Sequence, residues 1–258
     1  MGGNAFIEEF YKIEGVRVQV RTLGEGEPLL WLHGSGSNNP VNPVVSELAK
    51  HYKVYVPSHP GFNGSDRPDW LLDYSDYNYF YRSFLDYFQI DRAVVIGHSM
   101  GGRIAVEFAV SHTHRVKKLV LISPAGIHEE GLKRPDPFIL TPEQRTRLLF
   151  HDEKLAEQAL TRTLSPEEQN YAAKNLVTLA RLNWECYYNP KFPRLLNYIT
   201  VPTCIISGEN DRMIPAGYSQ AYHKHIPGSQ LHLIPECGHI PMVEQPAKCY
   251  EIIANFLR

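Results

Sequence analysis

The chain has 258 residues, 43% hydrophobic and 21% charged, with a formal net charge of −2. That length can bury a sizeable core as one domain with an inserted lobe, and that balance excludes the basic footprint of a nucleic-acid binder or of a protein drawn to anionic membrane. No apolar run approaches the ~20 residues of a membrane span, and Met1–Phe6 shows neither a basic-then-apolar leader nor the Ser or Thr at position 6 of a myristoylation signal.

Residues 6–15 and 16–23 alternate apolar and polar side chains, with Val16, Val18 and Val20 set against Arg17, Gln19 and Arg21. This pattern predicts an antiparallel hairpin at a sheet edge. Leu29-Leu30-Trp31-Leu32 is a continuous apolar run, as expected of a strand buried on both faces, and it ends in the polar, glycine-rich loop 33–39. A helix over 44–50 and a strand over 53–56 follow. The turn-rich stretch 57–66 comes next; its Asn63-Gly64-Ser65 matches a glycosylation sequon but reads as a turn. A tyrosine-rich helix is predicted over 75–88.

Val94-Val95-Ile96 then reads as the end of a buried strand, followed by Gly97-His98-Ser99-Met100-Gly101-Gly102 and a helical stretch over 103–109. This is the G-x-S-x-G pattern in the strand–turn–helix context of a nucleophile elbow. A serine on so sharp a turn sits in a strained backbone conformation, and side chains at Gly97 or Gly101 would collide with the neighbouring strand or helix. The N–H of Met100, at the helix start, points where an oxyanion would form.

Strand 118–122 follows, and the alternation of short apolar strands with helices predicts βαβ crossovers and a mostly parallel sheet. From Ala125 to Tyr198 the strand signal vanishes. Thr141-Pro142-Glu143-Gln144 and Ser165-Pro166-Glu167-Glu168 each carry a capping hydroxyl, Pro at the first helical position and a partner three residues on. The stretch therefore reads as an all-helical insertion. Alternation resumes with a strand over 203–207, a helix over 216–225, a strand over 230–234 and a helix over 246–257. The four cysteines, Cys186, Cys204, Cys237 and Cys249, are scattered with no C-x-x-C, which predicts reduced thiols in a cytoplasmic protein.

A serine hydroxyl is a poor nucleophile unless a base takes its proton, and the base is best held by an anionic third group. Downstream of Ser99, Asp211 follows one apolar strand and His239 follows the last. The order Ser, Asp, His is the one associated with this elbow. Carboxyl ends of parallel strands share an edge, so the three are expected to converge. Glu209 and Asp66 compete with Asp211, Asp66 reading more naturally as a turn residue. His98 is read as a packing residue pointing away from the nucleophile, and His33 as structural, bonded to its own loop. The pairs His112/His114 and His223/His225 lack a third ligand nearby and read as solvated helix surface, so no metal and no cofactor are expected.

With these residues in place, the sequence resembles the α/β-hydrolase superfamily, in its serine-nucleophile branch with a helical cap. The resemblance rests on His33-Gly34 after the third strand, on Pro60-Gly61-Phe62-Asn63-Gly64-Ser65, on the elbow, and on the Asp211 and His239 loops, and so spans nearly the whole chain. It implies a mostly parallel eight-stranded sheet flanked by helices, with a core of residues 1–124 and 199–258 and a helical cap of 125–198 inserted after the sixth strand. It also implies an oxyanion hole in which the N–H of Ser35, or of Gly36, joins that of Met100. Trp184, Tyr187 and Tyr188 in the cap, and Ile240 after His239, are candidate substrate contacts; the cap aromatics serve equally well as the cap's own core.

Ser99 as nucleophile argues for acyl transfer. The leading expectation is a carboxylesterase acting on a small to medium, largely apolar ester through an acyl-enzyme. The runner-up is a carbon–carbon bond hydrolase of aromatic ring-fission products, whose members usually carry Asn where this chain has His98 and an aromatic residue where it has Ile240. Perhydrolase chemistry is a side reaction of the same triad, and a ligand receptor without turnover is the non-enzymatic alternative. The expected partner is a small-molecule substrate, with no nucleic acid and no membrane, and a homo-oligomer is left open.

Overall fold

The computed structural model describes residues 6–36 and 41–258. The end of the predicted glycine-rich loop, 37–39, and the first five residues lie outside them. Eight strands form one sheet: β1 (Ile7–Ile13), β2 (Val16–Leu23), β3 (Glu27–Leu32), β4 (Tyr52–Pro57), β5 (Ala93–His98), β6 (Val116–Ile122), β7 (Thr203–Gly208) and β8 (Gln230–Ile234), in the order β1-β2-β4-β3-β5-β6-β7-β8. The first two make the predicted edge hairpin, Ile13 opposite Val16. Its two-residue turn has Glu14 at φ 49° and Gly15 at φ 79°, the paired positive values of a tight hairpin turn. β2 runs antiparallel to β4, and every pairing from β4 through β3, β5, β6, β7 and β8 is parallel.

Both faces of the central strands β3 and β5 are covered, which is why these strands read as unbroken apolar runs. On β5, Val95 enters a core shared with α2 (Asp76–Tyr87), α3 (Met100–Ser111) and α8 (Ala216–His225). Its neighbours Val94 and Ile96 enter the opposite core, with α1 (Pro43–Leu48) and α10 (Pro246–Leu257). A four-residue helix, α9 (Pro241–Glu244), precedes α10; it is too short to leave a periodic signal in the sequence.

Between β6 and β7 the described residues contain helices and no strand: α4 (Pro142–Leu149), α5 (Glu153–Thr161), α6 (Pro166–Leu182) and the single turn α7 (Phe192–Leu195). The two predicted start signals are complete capping boxes, Thr141 with Gln144 and Ser165 with Glu168. The insertion is fastened to the sheet's carboxyl edge through α6. Asn175 accepts from the Asn63 N–H at 2.8 Å and donates to the Asn63 side chain at 2.9 Å, Thr178 donates to Gly61 O at 2.8 Å, and Lys174 donates to Asn63 O at 3.0 Å and Ser65 O at 2.5 Å. Asn175 and Thr178 are buried. Buried polar groups of this kind are stable only when partnered, so the sequon-like Asn63 is spent on this joint.

Candidate active site

Ser99 follows the last residue of β5 and immediately precedes α3, with φ 53° and ψ −116°. Such a conformation costs on the order of 1–3 kcal/mol for a residue with a Cβ. Backbone bonds on both sides hold it: the Ser99 N–H donates to Ile122 O at 2.9 Å, and its carbonyl accepts from Arg103 at 3.2 Å and Ala125 at 3.0 Å. The flanking glycines allow the crowding this creates. A Cβ on Gly97 would lie 2.7 Å from the Gly101 carbonyl carbon and 2.8 Å from Ala105 Cβ; one on Gly101 would lie 2.5 Å from the Leu32 carbonyl carbon.

The ends of β5, β7 and β8 lie in register, through the pairs His98–Ile122, Ile122–Ile206 and Gly208–Ile234. The loops that follow therefore meet at one edge. The His239 ring bridges them: Nε2 lies 3.0 Å from Ser99 Oγ, and Nδ1 lies 2.8 Å from Asp211 Oδ2. The other Asp211 oxygen accepts from the N–H groups of Met213 at 2.9 Å and Ile214 at 2.8 Å, which aims the carboxylate at the imidazole. All three residues are buried, whereas Glu209 is exposed on the same loop and Asp66 is exposed elsewhere. With Nδ1–H donating to Asp211, Nε2 carries the lone pair that can take a proton from Ser99.

His98 does more than pack. It lies beside His239, ring centroids 5.0 Å apart, and its Nε2–H donates to the His239 carbonyl at 3.0 Å. Burial, reinforced by the neighbouring His239, pushes its pKa down to about 3, so it holds that carbonyl as a neutral ring. The adjacent His239 N–H donates to Leu149 O at the end of α4, 2.8 Å away. The expectation that His98 turns away from the site is corrected: it faces the loop that carries the histidine.

His33 bonds its own loop as expected, Nδ1–H donating to Gly34 O at 2.8 Å, while its Nε2 accepts from the His59 N–H at 3.2 Å. The His59 ring donates in turn to His33 O at 2.9 Å and accepts from the Tyr81 hydroxyl. Burial lowers His33 to about 4 and His59 well below the ordinary value, so this pair is a neutral buckle. It presses Gly34 against the elbow, where a Cβ would meet the His98 ring at 2.8 Å and Ser99 Cβ at 3.4 Å. Ser35 follows directly and is half-buried, whereas Gly36 is exposed, and a Cβ on it would meet no atom of the described residues within 4 Å. Met100 begins α3, whose first amides have no acceptor within the helix.

Of the candidate substrate contacts, Tyr187 and Tyr188 meet edge to face with ring centroids 5.4 Å apart. Trp184 is 85% exposed beyond the end of α6, so it belongs neither to a core within the insertion nor to an enclosed wall. Tyr187 is also exposed, under the Arg134 guanidinium at 4.3 Å, and Tyr188 stacks on His128 at 4.7 Å. Ile240 is half-buried and packs against the core that α1 and α10 share. Among the described residues no group of three potential metal ligands occurs.

A parallel sheet whose carboxyl edge holds a strained serine, an imidazole and a carboxylate in hydrogen-bonded sequence defines a class of α/β enzymes that hydrolyse their substrates. The sequence profile of the alpha/beta hydrolase family matches residues 29–252, and the chain belongs to that family. It is 28% identical to a 2-hydroxymuconate semialdehyde hydrolase of Pseudomonas sp. strain CF600, over 94% of this chain and 91% of the relative. Among solved structures, a meta-cleavage product hydrolase from Pseudomonas fluorescens IP01 superposes with a TM-score of 0.80 at 22% identity, covering 96% of this chain and 97% of that one. An esterase from Rhodococcus sp. ECU1013 superposes with a TM-score of 0.76 at 21% identity, covering 97% and 98%. These two likenesses show the shared fold.

Proposed function

We propose that the protein is a serine hydrolase with Ser99 as nucleophile, His239 as general base and acid, and Asp211 as the group that orients and stabilises the imidazolium. The observation that carries this reading is the unbroken row from Ser99 Oγ through His239 to Asp211, at 3.0 and 2.8 Å. His239 takes the serine proton as Oγ attacks a carbonyl, and the tetrahedral oxyanion is met by the N–H groups of Met100 and Ser35, with Gly36 as the alternative second donor. Collapse expels the alcohol, which receives the proton from His239. The acyl-enzyme is then hydrolysed by a water that His239 activates.

The substrate class we favour is a small to medium, largely apolar carboxylic ester, with the helical insertion of 125–198 acting as a cap over the site. A carbon–carbon hydrolase reading is supported by the 2-hydroxymuconate semialdehyde hydrolase relative; His98 at the elbow and Ile240 after His239 count against it. The scattered cysteines, three of them buried, favour a cytoplasmic setting. No described helix is long and apolar enough to cross a membrane.

The test is hydrolysis of short-chain p-nitrophenyl esters by native protein and by Ser99→Ala, beside bleaching of a yellow ring-fission dienoate. Native protein is expected to cleave the esters and Ser99→Ala to lose at least ~10³-fold. Equal rates from the two proteins refute the assignment of Ser99. Bleaching of the dienoate without ester cleavage replaces the ester reading with the carbon–carbon one.

A further inference from the structure

The His239 loop is built against the helical insertion as well as against the sheet. Glu244, at the end of α9, places one carboxylate oxygen 2.5 Å from the Gly238 N–H, immediately before His239. Its other oxygen accepts from the His151 N–H at 2.7 Å and the Asp152 N–H at 2.6 Å, in the turn between α4 and α5. The same turn receives the His239 N–H on Leu149 O. Contact is backbone to backbone: a Cβ on Gly238 would lie 2.6 Å from Leu149 O and 2.8 Å from the His151 nitrogen. Arg212, next to Asp211, fastens the turn from the other side, donating to Arg147 O and Phe150 O at 2.7 Å each.

We infer that Glu244 is a positioning residue for His239, coupling the placement of the imidazole to docking of the α4–α5 turn. A carboxylate accepting three N–H groups joins two segments that are 93 residues apart in the chain. Charge-assisted bonds of this kind are stronger than neutral ones, and the Gly238 N–H that Glu244 satisfies belongs to a buried residue. With the carboxylate gone, the N–H groups of Gly238, His151 and Asp152 lose their acceptor together. The turn then separates from the loop, and the His239 backbone keeps only its carbonyl bond to His98. The ring drifts relative to Ser99 and Asp211, and a misplacement of ~1 Å costs up to ~100-fold in rate. Arg212 acts on the same turn, so its removal after Glu244 has little left to undo.

The inference rests on the reading of His239 as the base, and its test separates the two. An organophosphonate is reacted with native protein, Glu244→Ala, Glu244→Gln, Arg212→Ala and the double variant Glu244→Ala/Arg212→Ala. For each the limiting inactivation rate and the half-saturating concentration are measured. Glu244→Gln keeps the side chain's bulk should Glu244→Ala fold poorly. Amide hydrogen exchange is followed in peptides covering 149–153 and 238–240.

The expected result for Glu244→Ala is a limiting rate lower by about 10- to 100-fold with the half-saturating concentration unchanged, and Glu244→Gln falls in between. The double variant is expected to lose less than the product of the single losses. Exchange rises in both peptides together. A native limiting rate in Glu244→Ala, or exchange rising in one peptide alone, overturns the coupling. Absence of any labelling of native protein refutes the Ser99–His239 reading instead, and the exchange result still decides whether Glu244 joins the two segments.

Discussion

Gly101→Ala sets two physical effects against each other, and the structure decides between them. Gly101 is the second residue of α3, and its φ is one that alanine adopts freely, so helix propensity alone predicts a gain of about 1 kcal/mol. The added Cβ, however, would stand 2.5 Å from the Leu32 carbonyl carbon and 2.6 Å from His33 O. Carbon atoms rest at about 3.5–4.0 Å, so the start of α3 and the end of β3 must part by ~1 Å. Both sides are backbone, and no rotamer change relieves the clash. Overpacking of this kind costs ~1–3 kcal/mol, which outweighs the propensity gain. The same displacement moves Ser99 relative to Gly34, Ser35 and His239, at up to ~100-fold in kcat/KM. Urea unfolding and p-nitrophenyl ester kinetics on the one variant measure both consequences. A variant at least as stable as the native protein, with kcat/KM within about threefold, would refute the claim that this contact sets the elbow.

Two further predictions concern buried charge and acid stability. Arg103 and Glu107 form an ion pair at 3.1 Å with both side chains 8% exposed, the guanidinium stacked 3.7 Å over the Tyr74 ring. Glu107→Ala leaves that guanidinium buried without its counter-charge and is expected to cost ~3–5 kcal/mol in urea unfolding, and a change below ~1 kcal/mol would contradict it. For pH, burial holds His33 at about 4 and His98 at about 3, whereas in the unfolded chain histidine takes up its proton at ~6.5. The unfolded state therefore binds more protons below that value, and the stability present above pH ~6.5 is lost as pH falls toward the folded values, by about 1.4 kcal/mol per pH unit for each ring. Urea midpoints at pH 7.5, 6.0 and 5.0 measure the slope, and His98→Gln should remove one ring's share of it. An unchanged slope in His98→Gln would show that His98 does not remain neutral in the folded protein.

Much of the fold was legible because its signals are local. Alternation over 16–23, the apolar runs of β3 and β5, and the start signals at Thr141 and Ser165 depend on neighbours within a few residues. The candidate site was legible for a related reason. Parallel strands bring their carboxyl ends to one edge, so Ser99, Asp211 and His239, each just past a strand, were placed near one another by topology before any distance was known. Acidic alternatives were harder to rank. Asp211 and Glu209 share a loop, and only burial against His239 separates them.

What the chain's sequence determined by itself is the α/β architecture and the elbow, because periodicity, glycine placement and capping are short-range properties. Tertiary structure alone decided which groups hold the site in place. His98 reaches the His239 carbonyl across 141 residues, and Glu244 reaches the α4–α5 turn across 93. It also left Trp184 in solvent and set Ile240, half-buried, against the core of α1 and α10. Hydrogen bonds and packing between distant segments depend on where two loops come to rest after the sheet has assembled, and no local pattern in the chain records that meeting.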